Sequence, residues 1–316
     1  MHTRGTDRHI GQRVGGVNPR VLLAVLAFLF VAVLAVALFH RGGEGASETV
    51  ESFPLPAGIS GLVSADSEDA RREALATIVA GPLSETEAEA LLSFIRGDCP
   101  DDCAPNYWHA MVNDIVDHSI LHDLLPGHLG RYLVDTARDP SEDPVLRDYA
   151  LQFMAQWSTH SGPEISGQER DPALISEMLD TLRWATGQRS ESFSATALVS
   201  LERISNAAPE VVDFAAHHGA AIALLAEDSH PLARVTALQV VADHGLANAL
   251  PLIREIAEPE SGQDTSLRLS AIAALGTLGT SDDRSLLQTI RNREPGRIDL
   301  AAAPALARLE RKLKSR

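Results

Sequence analysis

The 316-residue sequence has few of the features that mark β-sheet folds or the common classes of enzyme. Alternating β-branched residues are scarce, and no Asn-Gly or Asp-Gly pair signals a β-hairpin. The chain also lacks a G-x-S-x-G motif, a P-loop and a dinucleotide-binding fingerprint. We therefore predict an all-α protein that is not an enzyme and that carries no cofactor.

Basic residues are too few for a nucleic-acid-binding protein. The net charge is −16, and because residues 1–41 carry +4, the rest of the chain carries −20. Binding to phosphates needs a basic face that displaces counterions, so we predict no nucleic-acid partner. An acidic surface favours a basic protein partner instead. Residues 291–316 alone are basic, at +5, which suits a last helix; a docking tail for acidic groups is the alternative.

Cysteine is nearly absent, since Cys99 and Cys103 are the only two in the chain. They lie in the segment GDCPDDCAP, whose prolines oppose a continuous helix. The C-x-x-C-H haem signature is missing, and two thiolates do not complete a zinc site. In an oxidising compartment such a close pair forms a disulfide, so we predict a structural disulfide on an inter-helix loop. A redox role is the weaker alternative.

One long uncharged run, Val21–Phe39, stands out from this polar composition. As a helix its 19 residues span about 28 Å, close to the thickness of a bilayer core. Four arginines precede the run and three glutamates follow it, so the positive-inside rule places the N-terminus in the cytoplasm. A cleaved signal peptide is the alternative, but its apolar region is usually about 7–15 residues long. We predict a single-pass membrane protein with an extracytoplasmic, periplasmic C-terminal domain.

These features divide the chain into four parts. Residues 1–20 form a cytoplasmic tail, 21–39 the transmembrane helix, and 40–66 a linker rich in Gly, Ser, Glu and Pro. From residue 67 to residue 316, short amphipathic helices alternate with turn residues. Ser67 and Ser84 are expected to cap the first two of these helices.

A short phrase recurs within residues 67–316: an arginine, two residues, an alanine, an aliphatic residue and a further apolar position. Its four full copies contain Arg71 and Ala74, Arg147 and Ala150, Arg234 and Ala237, and Arg268 and Ala271. With weaker copies at Ala110 and Ala197, successive alanines lie 34 to 47 residues apart. This period is typical of stacked helical hairpins, in which a small alanine lets two helices approach closely.

The segment from Asp228 to Leu238 resembles the first helix of a HEAT repeat, with the acid, proline, arginine and alanine of that family in order. Residues 246–257 resemble its second helix. The resemblance implies an armadillo-like α-solenoid of about six to seven HEAT-like hairpins, ending in a capping helix, Asp299–Lys314. It also implies a scaffold or protein-binding role and supplies no catalytic residues. Exposed pairs between the phrase arginines and preceding acids, such as Asp228 before Arg234, are expected to fix the register of the repeats.

Twelve histidines raise the question of a metal site. Asp114, His118 and His122 are spaced four residues apart and would share one face of a continuous helix, a workable geometry for zinc. The Leu-Leu-Pro-Gly that follows indicates that the helix ends near His118, so we predict no metal site. His217 and His218 are adjacent and would point in different directions on a helix, which makes a poor chelate.

Two functions fit these patterns. The first is a membrane-anchored, non-catalytic scaffold whose extracytoplasmic HEAT-like solenoid binds a protein, and this is the function that the sequence predicts. The alternative is an enzyme, or a cofactor- or metal-handling protein, on a HEAT-like frame, because some lyases and DNA glycosylases resemble this architecture. The acidic charge and the predicted compartment oppose the DNA version of this alternative. A metal or pigment bound to the purified protein would favour the alternative.

Overall fold

Prolines and aspartates set the starts of many helices in the computed structural model, which describes residues 60–61, 64–65, 67–78, 85–97, 104–160, 171–293 and 296–315. Proline lies in the first turn of several helices, where its missing N–H group costs no hydrogen bond. Asp143, Asp171 and Asp264 each precede a helix and accept a hydrogen bond from a first-turn backbone N–H, at 2.7 to 3.0 Å. A helix leaves its first backbone N–H groups unpaired; proline removes one of these groups, and the aspartate side chain accepts a hydrogen bond from another.

Every regular element in the described residues is helical, which confirms the predicted fold class. The α-helices are α1 (Glu68–Ile78), α2 (Glu85–Ile95), α3 (Pro105–Leu121), α4 (Pro126–Arg138), α5 (Pro144–Thr159), α6 (Pro172–Gly187), α7 (Phe193–Ala207), α8 (His218–Ala223), α9 (Pro231–Asp243), α10 (Leu250–Ala257), α11 (Thr265–Leu278), α12 (Asp283–Arg293) and α13 (Arg297–Lys314). Two short 3-10 helices, Phe214–His217 and Ala247–Ala249, lead into α8 and α10.

The helices stack in chain order in two layers. The odd-numbered helices form one layer, in which each packs against the next from α1 to α13. In the other layer, α2, α4 and α6 pack in sequence, while α8, α10 and α12 each pack on the odd-numbered helix that follows. The described residues therefore form six successive helix pairs and a final helix, which is an α-solenoid.

A continuous apolar core lies between the layers, and the alanines of the recurrent phrase belong to it. Ala150, Ala237 and Ala271 are buried, and Ala74 is partly buried against the same core. Small residues also let α11 and α13 touch, because a Cβ added at Gly276 would lie 2.8 Å from Cα of Ala305. The core thus depends on close backbone approach as well as on large side chains.

The arginines of the recurrent phrase in α5, α9 and α11 turn toward the protein interior. Arg234 and Arg268 are buried. Arginine side chains donate to carbonyl oxygens at the end of the preceding even-numbered helix: Arg147 to Ala137, Arg234 to Leu225 and Arg268 to Ala257, all at 3.2 to 3.3 Å. The acid expected to pair with Arg234, Asp228, instead pairs with Arg189 at 2.6 Å. The register between these repeats therefore rests on a helix-capping bond at Arg234, and the predicted exposed pair is wrong there.

Helix α13 closes the stack at its C-terminal end. It begins at Arg297, two residues before the predicted start, and it contains Pro304. The Lys312 ammonium group donates to the carbonyl oxygens of Thr277, Leu278 and Gly279 at 2.7 to 3.2 Å, which caps the end of α11. Arg308 and Arg311 are exposed, as a capping helix requires, although Leu300 on the same helix is also exposed.

Several predictions concern parts of the chain outside the described residues. The run Val21–Phe39, most of the linker 40–66, and both Cys99 and Cys103 lie there, as does the side chain of Arg71. The disulfide and the residue boundaries of the four parts of the chain therefore stay predictions. Among the helices that the structure describes, none combines the length and the apolar character needed to cross a membrane.

Candidate functional site

A group of histidines gathers where α7, α8 and the end of α9 meet. The odd-numbered helices α7 and α9 are neighbours in one layer, so Glu202 in the second half of α7 lies beside His244, the residue that follows α9. The 3-10 helix Phe214–His217 runs directly into α8, which begins at His218. We call the set His217, His218 and His244, with Phe214 and Glu202, the histidine cluster.

The closest polar contact of the histidine cluster joins Glu202 and His244. Oε1 of Glu202 lies 2.7 Å from Nε2 of His244, a short hydrogen bond to a carboxylate. The side chains of His244 and Glu202 are 25% and 21% exposed, so the pair is sheltered but open to small molecules. A carboxylate in this position orients the imidazole.

The ring of Phe214 lies close to all three imidazole rings. Its buried ring lies 4.6 Å from the ring of His244, 5.8 Å from that of His218 and 6.1 Å from that of His217, centroid to centroid. The rings of His218 and His244 are 5.7 Å apart. Two partly exposed imidazoles therefore flank one aromatic side chain.

The third imidazole, His217, has a different electrostatic environment. Burial lowers the pKa of His217, the charge of Arg183 lowers it further, and Asp213 acts in the opposite direction. Near neutral pH, His217 is accordingly uncharged. Among the described residues, no three His, Cys, Asp or Glu side chains are arranged to share a metal ion. The histidine cluster is thus suited to proton transfer by His244 and His218 next to a neutral His217.

A second polar group lies between α5 and α7. The half-buried carboxylate of Asp148 accepts a hydrogen bond from the Thr196 hydroxyl at 2.6 Å and another from the Gln152 amide at 2.9 Å. Burial raises the pKa of Asp148 above its ordinary value, and the two hydrogen bonds partly offset that rise. Burial also raises the pKa of the neighbouring Tyr149, and nearby carboxylates, Asp148 first, add to the effect. These groups are engaged with one another, and we treat them as structural.

The structure changes what the sequence suggested about the histidines. Helix α3 continues to Leu121, about one turn beyond the predicted end near His118. The residues with positive φ that follow the helix, Asp123 and Leu125, lie after this extra turn. His118 and His122 are thus brought together at the end of α3, with ring centroids 4.1 Å apart. His217 ends a 3-10 helix and His218 begins α8, so the argument from one continuous helix does not apply to them.

Sequence reasoning missed Glu202, His244 and Phe214. Glu202 and His244 are 42 residues apart, close to the spacing of 40 between Ala197 and Ala237 in the same two repeats. Both follow the alanine of the recurrent phrase by five to seven residues. A polar residue at matching places in two successive repeats was the available signal, because neighbouring odd-numbered helices bring such positions together.

Comparison with known proteins bears on the fold. No protein-family model and no curated protein matches the chain. Human deoxyhypusine hydroxylase, solved in complex with glycerol, is 15% identical and matches over 91% of this chain and 99% of its own, with a TM-score of 0.32. The complex of CpcE and CpcF of phycocyanin lyase from Nostoc sp. PCC7120 is 12% identical and matches over 85% of this chain and 99% of the solved one, with a TM-score of 0.35. The likeness concerns the HEAT-like helical fold alone.

These findings correct two predictions. The non-catalytic scaffold rested on the fold resemblance alone and is not proposed again; the two matched structures carry the names of a hydroxylase and a lyase. The single-pass, extracytoplasmic location is not carried forward either: no helix among the described residues has the length and the apolar character to cross a membrane, and the run Val21–Phe39 lies outside those residues. We withdraw both. The basic protein partner and the absence of a nucleic-acid partner stay predictions.

Proposed function

We propose that this protein is an enzyme or a cofactor-handling protein on a HEAT-like frame, and that its ligand binds at the histidine cluster. The observation that supports the proposal is the 2.7 Å hydrogen bond between Glu202 and His244, which stands partly exposed beside a second imidazole. Sites of acid–base catalysis commonly contain an imidazole that a carboxylate orients and that lies next to another titratable group.

The tautomer of His244 follows from its partner. A carboxylate only accepts hydrogen bonds, so Nε2 of His244 carries the hydrogen that reaches Glu202. In neutral His244 the free lone pair is then on Nδ1, where it takes a proton from a bound ligand. The imidazolium that forms is stabilised by the charge of Glu202. His244 is therefore the base, and Glu202 the group that positions it.

His218 is the second proton carrier of the proposed site. Its ring lies 5.7 Å from that of His244, so both imidazoles reach the same small ligand. One histidine takes a proton while the other returns one, which suits isomerisations, eliminations and additions of water. The buried ring of Phe214 contacts both histidines and keeps them at this separation.

A ligand search tests the proposal without assuming a reaction. The purified full chain is first examined by native mass spectrometry and absorbance for an organic group that copurifies with it. A metabolite library is then screened by thermal shift against the wild type and the variants His244→Ala and Glu202→Gln. The matched control is His128→Ala, because His128 is an exposed histidine on α4, outside the histidine cluster.

The expected result is a ligand that stabilises the wild type and the His128→Ala protein equally. Its Kd should rise at least about tenfold in His244→Ala and Glu202→Gln, which corresponds to about 1.4 kcal/mol of lost binding free energy. A ligand that binds all four proteins with the same affinity would overturn the proposal, as would a library screen in which nothing binds the wild type.

A further inference from the structure

Two histidines at the end of α3 form a separate feature, distant in sequence from the histidine cluster. The backbone N–H of His122 donates to the carbonyl oxygen of His118 at 3.0 Å, which is the last-turn bond of the helix. This bond places the two side chains one above the other on the same face. Their ring centroids are 4.1 Å apart and the rings are tilted by 33°.

The two rings differ in their surroundings. Nε2 of His118 is buried and has no hydrogen-bond partner, which is unusual for a polar atom inside a protein. Burial lowers the pKa of His118, and the nearby His122 lowers it further, against an opposing effect of Asp117. His122, in contrast, is exposed and free to rotate about its side-chain bonds.

The two imidazole rings lie close enough together to share one metal ion. Two imidazole nitrogens that share one ion at about 2.0–2.1 Å each are about 3 Å apart. The ring centroids of His118 and His122 are 4.1 Å apart. Rotation of both side chains, which would also expose the buried Nε2 of His118, would bring two ring nitrogens to that separation. The unsatisfied Nε2 of His118 would gain a partner in the process.

We propose that His118 and His122 together bind one divalent transition-metal ion through two imidazole nitrogens. Imidazole ligands suit Cu²⁺, Ni²⁺ and Zn²⁺, and the general order of affinity places Cu²⁺ first. Acidic residues flank the pair in sequence, since Asp117 precedes His118 and Asp123 follows His122. Asp117 accepts a hydrogen bond from the Gln156 amide at 2.6 Å. Water completes the coordination, since the described residues offer no third ligand in place. The ion is accordingly exchangeable.

The test uses the untagged full chain and the metal salts alone, in a buffer that does not coordinate metals. Binding of Cu²⁺, Ni²⁺ and Zn²⁺ is measured by isothermal titration calorimetry for the wild type, His122→Ala and the exposed control His128→Ala. His122 is exposed at a helix end, so its loss leaves the fold intact, which circular dichroism checks. Because the chain has twelve histidines, NMR of protein labelled with ¹³C-histidine identifies the site.

The expected result is a site that binds Cu²⁺ most tightly, with a Kd at least tenfold weaker in His122→Ala and unchanged in His128→Ala. Substoichiometric Cu²⁺ should broaden the His118 and His122 signals before any other histidine signal. Equal affinity of the wild type and His122→Ala would overturn the proposal, and so would broadening that begins at other histidines. The variant His244→Ala should keep the Cu²⁺ site, so this test and the test of the histidine cluster fail independently.

Discussion

Nε of Arg234 donates a hydrogen bond to the carbonyl oxygen of Leu225, 3.2 Å away, and this contact joins the end of one repeat to the start of the next. Arg147 makes the same type of bond to Ala137, and Arg268 makes it to Ala257. In each case a guanidinium group meets a carbonyl at, or just beyond, the negative end of the preceding even-numbered helix. The recurrent arginine of the sequence is thus a cap that one repeat supplies to its neighbour.

Replacing Arg234 with methionine should destabilise the protein by about 1.5–3 kcal/mol, because a charged donor is lost and a buried carbonyl stays unsatisfied. The change also removes the bond from Nη1 of Arg234 to Oε1 of Gln263, 2.8 Å long. Urea denaturation measures the difference in the free energy of unfolding. Arg203→Ala is the control, since exposed Arg203 on α7 should change stability by less than about 0.5 kcal/mol. Equal effects of the two changes would contradict the capping role.

Adding a methyl group at Gly276 should destabilise the contact between α11 and α13 by about 1–3 kcal/mol. The new Cβ would lie 2.8 Å from Cα and 2.9 Å from the carbonyl oxygen of Ala305, so backbone atoms would have to move. At Gly127 in α4, nothing lies within 4 Å of such a Cβ. Gly127→Ala should therefore stabilise the protein slightly, by up to about 1 kcal/mol. Thermal denaturation that ranks the two variants the other way would refute this packing.

Asp148→Asn should stabilise the protein at neutral pH. Burial raises the pKa of Asp148, and a group with a raised pKa in the folded state stabilises the fold at low pH and loses that contribution as pH rises. The asparagine carbonyl still accepts from Thr196, and its amide can donate to a flipped Gln152.

The advantage of Asp148→Asn over the wild type should be small near pH 4 and should grow toward pH 7. Urea denaturation at several pH values measures it. The control Asp180→Asn changes an exposed carboxylate on α6 and should show little pH-dependent gain. A constant difference between Asp148→Asn and the wild type at all pH values would exclude the raised pKa as its cause.

Asp283→Asn should have the opposite pH profile. Burial alone would raise the pKa of Asp283, but hydrogen bonds from Arg254 and from the Thr280 backbone N–H lower it below its ordinary value. A lowered carboxyl pKa contributes stability above about pH 4 that is lost as pH falls through the folded-state value. The variant should therefore lose about 1.5–3 kcal/mol at pH 7 and less at pH 3. The adjacent exposed Asp282 provides the control, and Asp282→Asn should match the wild type at both pH values.

The fold was largely predictable because the residues that pack each repeat against its neighbours lie close together in the sequence of that repeat. A small alanine and an aliphatic neighbour recur in each odd-numbered helix, so Ala150, Ala237 and Ala271 point to a stack. The role of Arg234 was not predictable from spacing alone, since its partner is a carbonyl oxygen, which every residue has. The acid that precedes it in the sequence, Asp228, was a misleading signal.

The candidate site was harder to predict than the fold, for two physical reasons. Glu202 and His244 meet only because α7 and α9 lie side by side in a particular register, and no local pattern sets that register. His217 and His218 belong to different types of helix, so their directions could not be derived from helical periodicity. A functional site built between repeats leaves little trace in any one of them.

A crystallographic fragment screen of the full chain tests the central claim most directly, because it locates ligands without assuming a reaction. We expect small polar fragments to bind beside His244 and His218, with at least one in hydrogen-bond contact with Nδ1 of His244. Fragments that bind elsewhere on the solenoid while the histidine cluster stays empty would show that the cluster is not a ligand site.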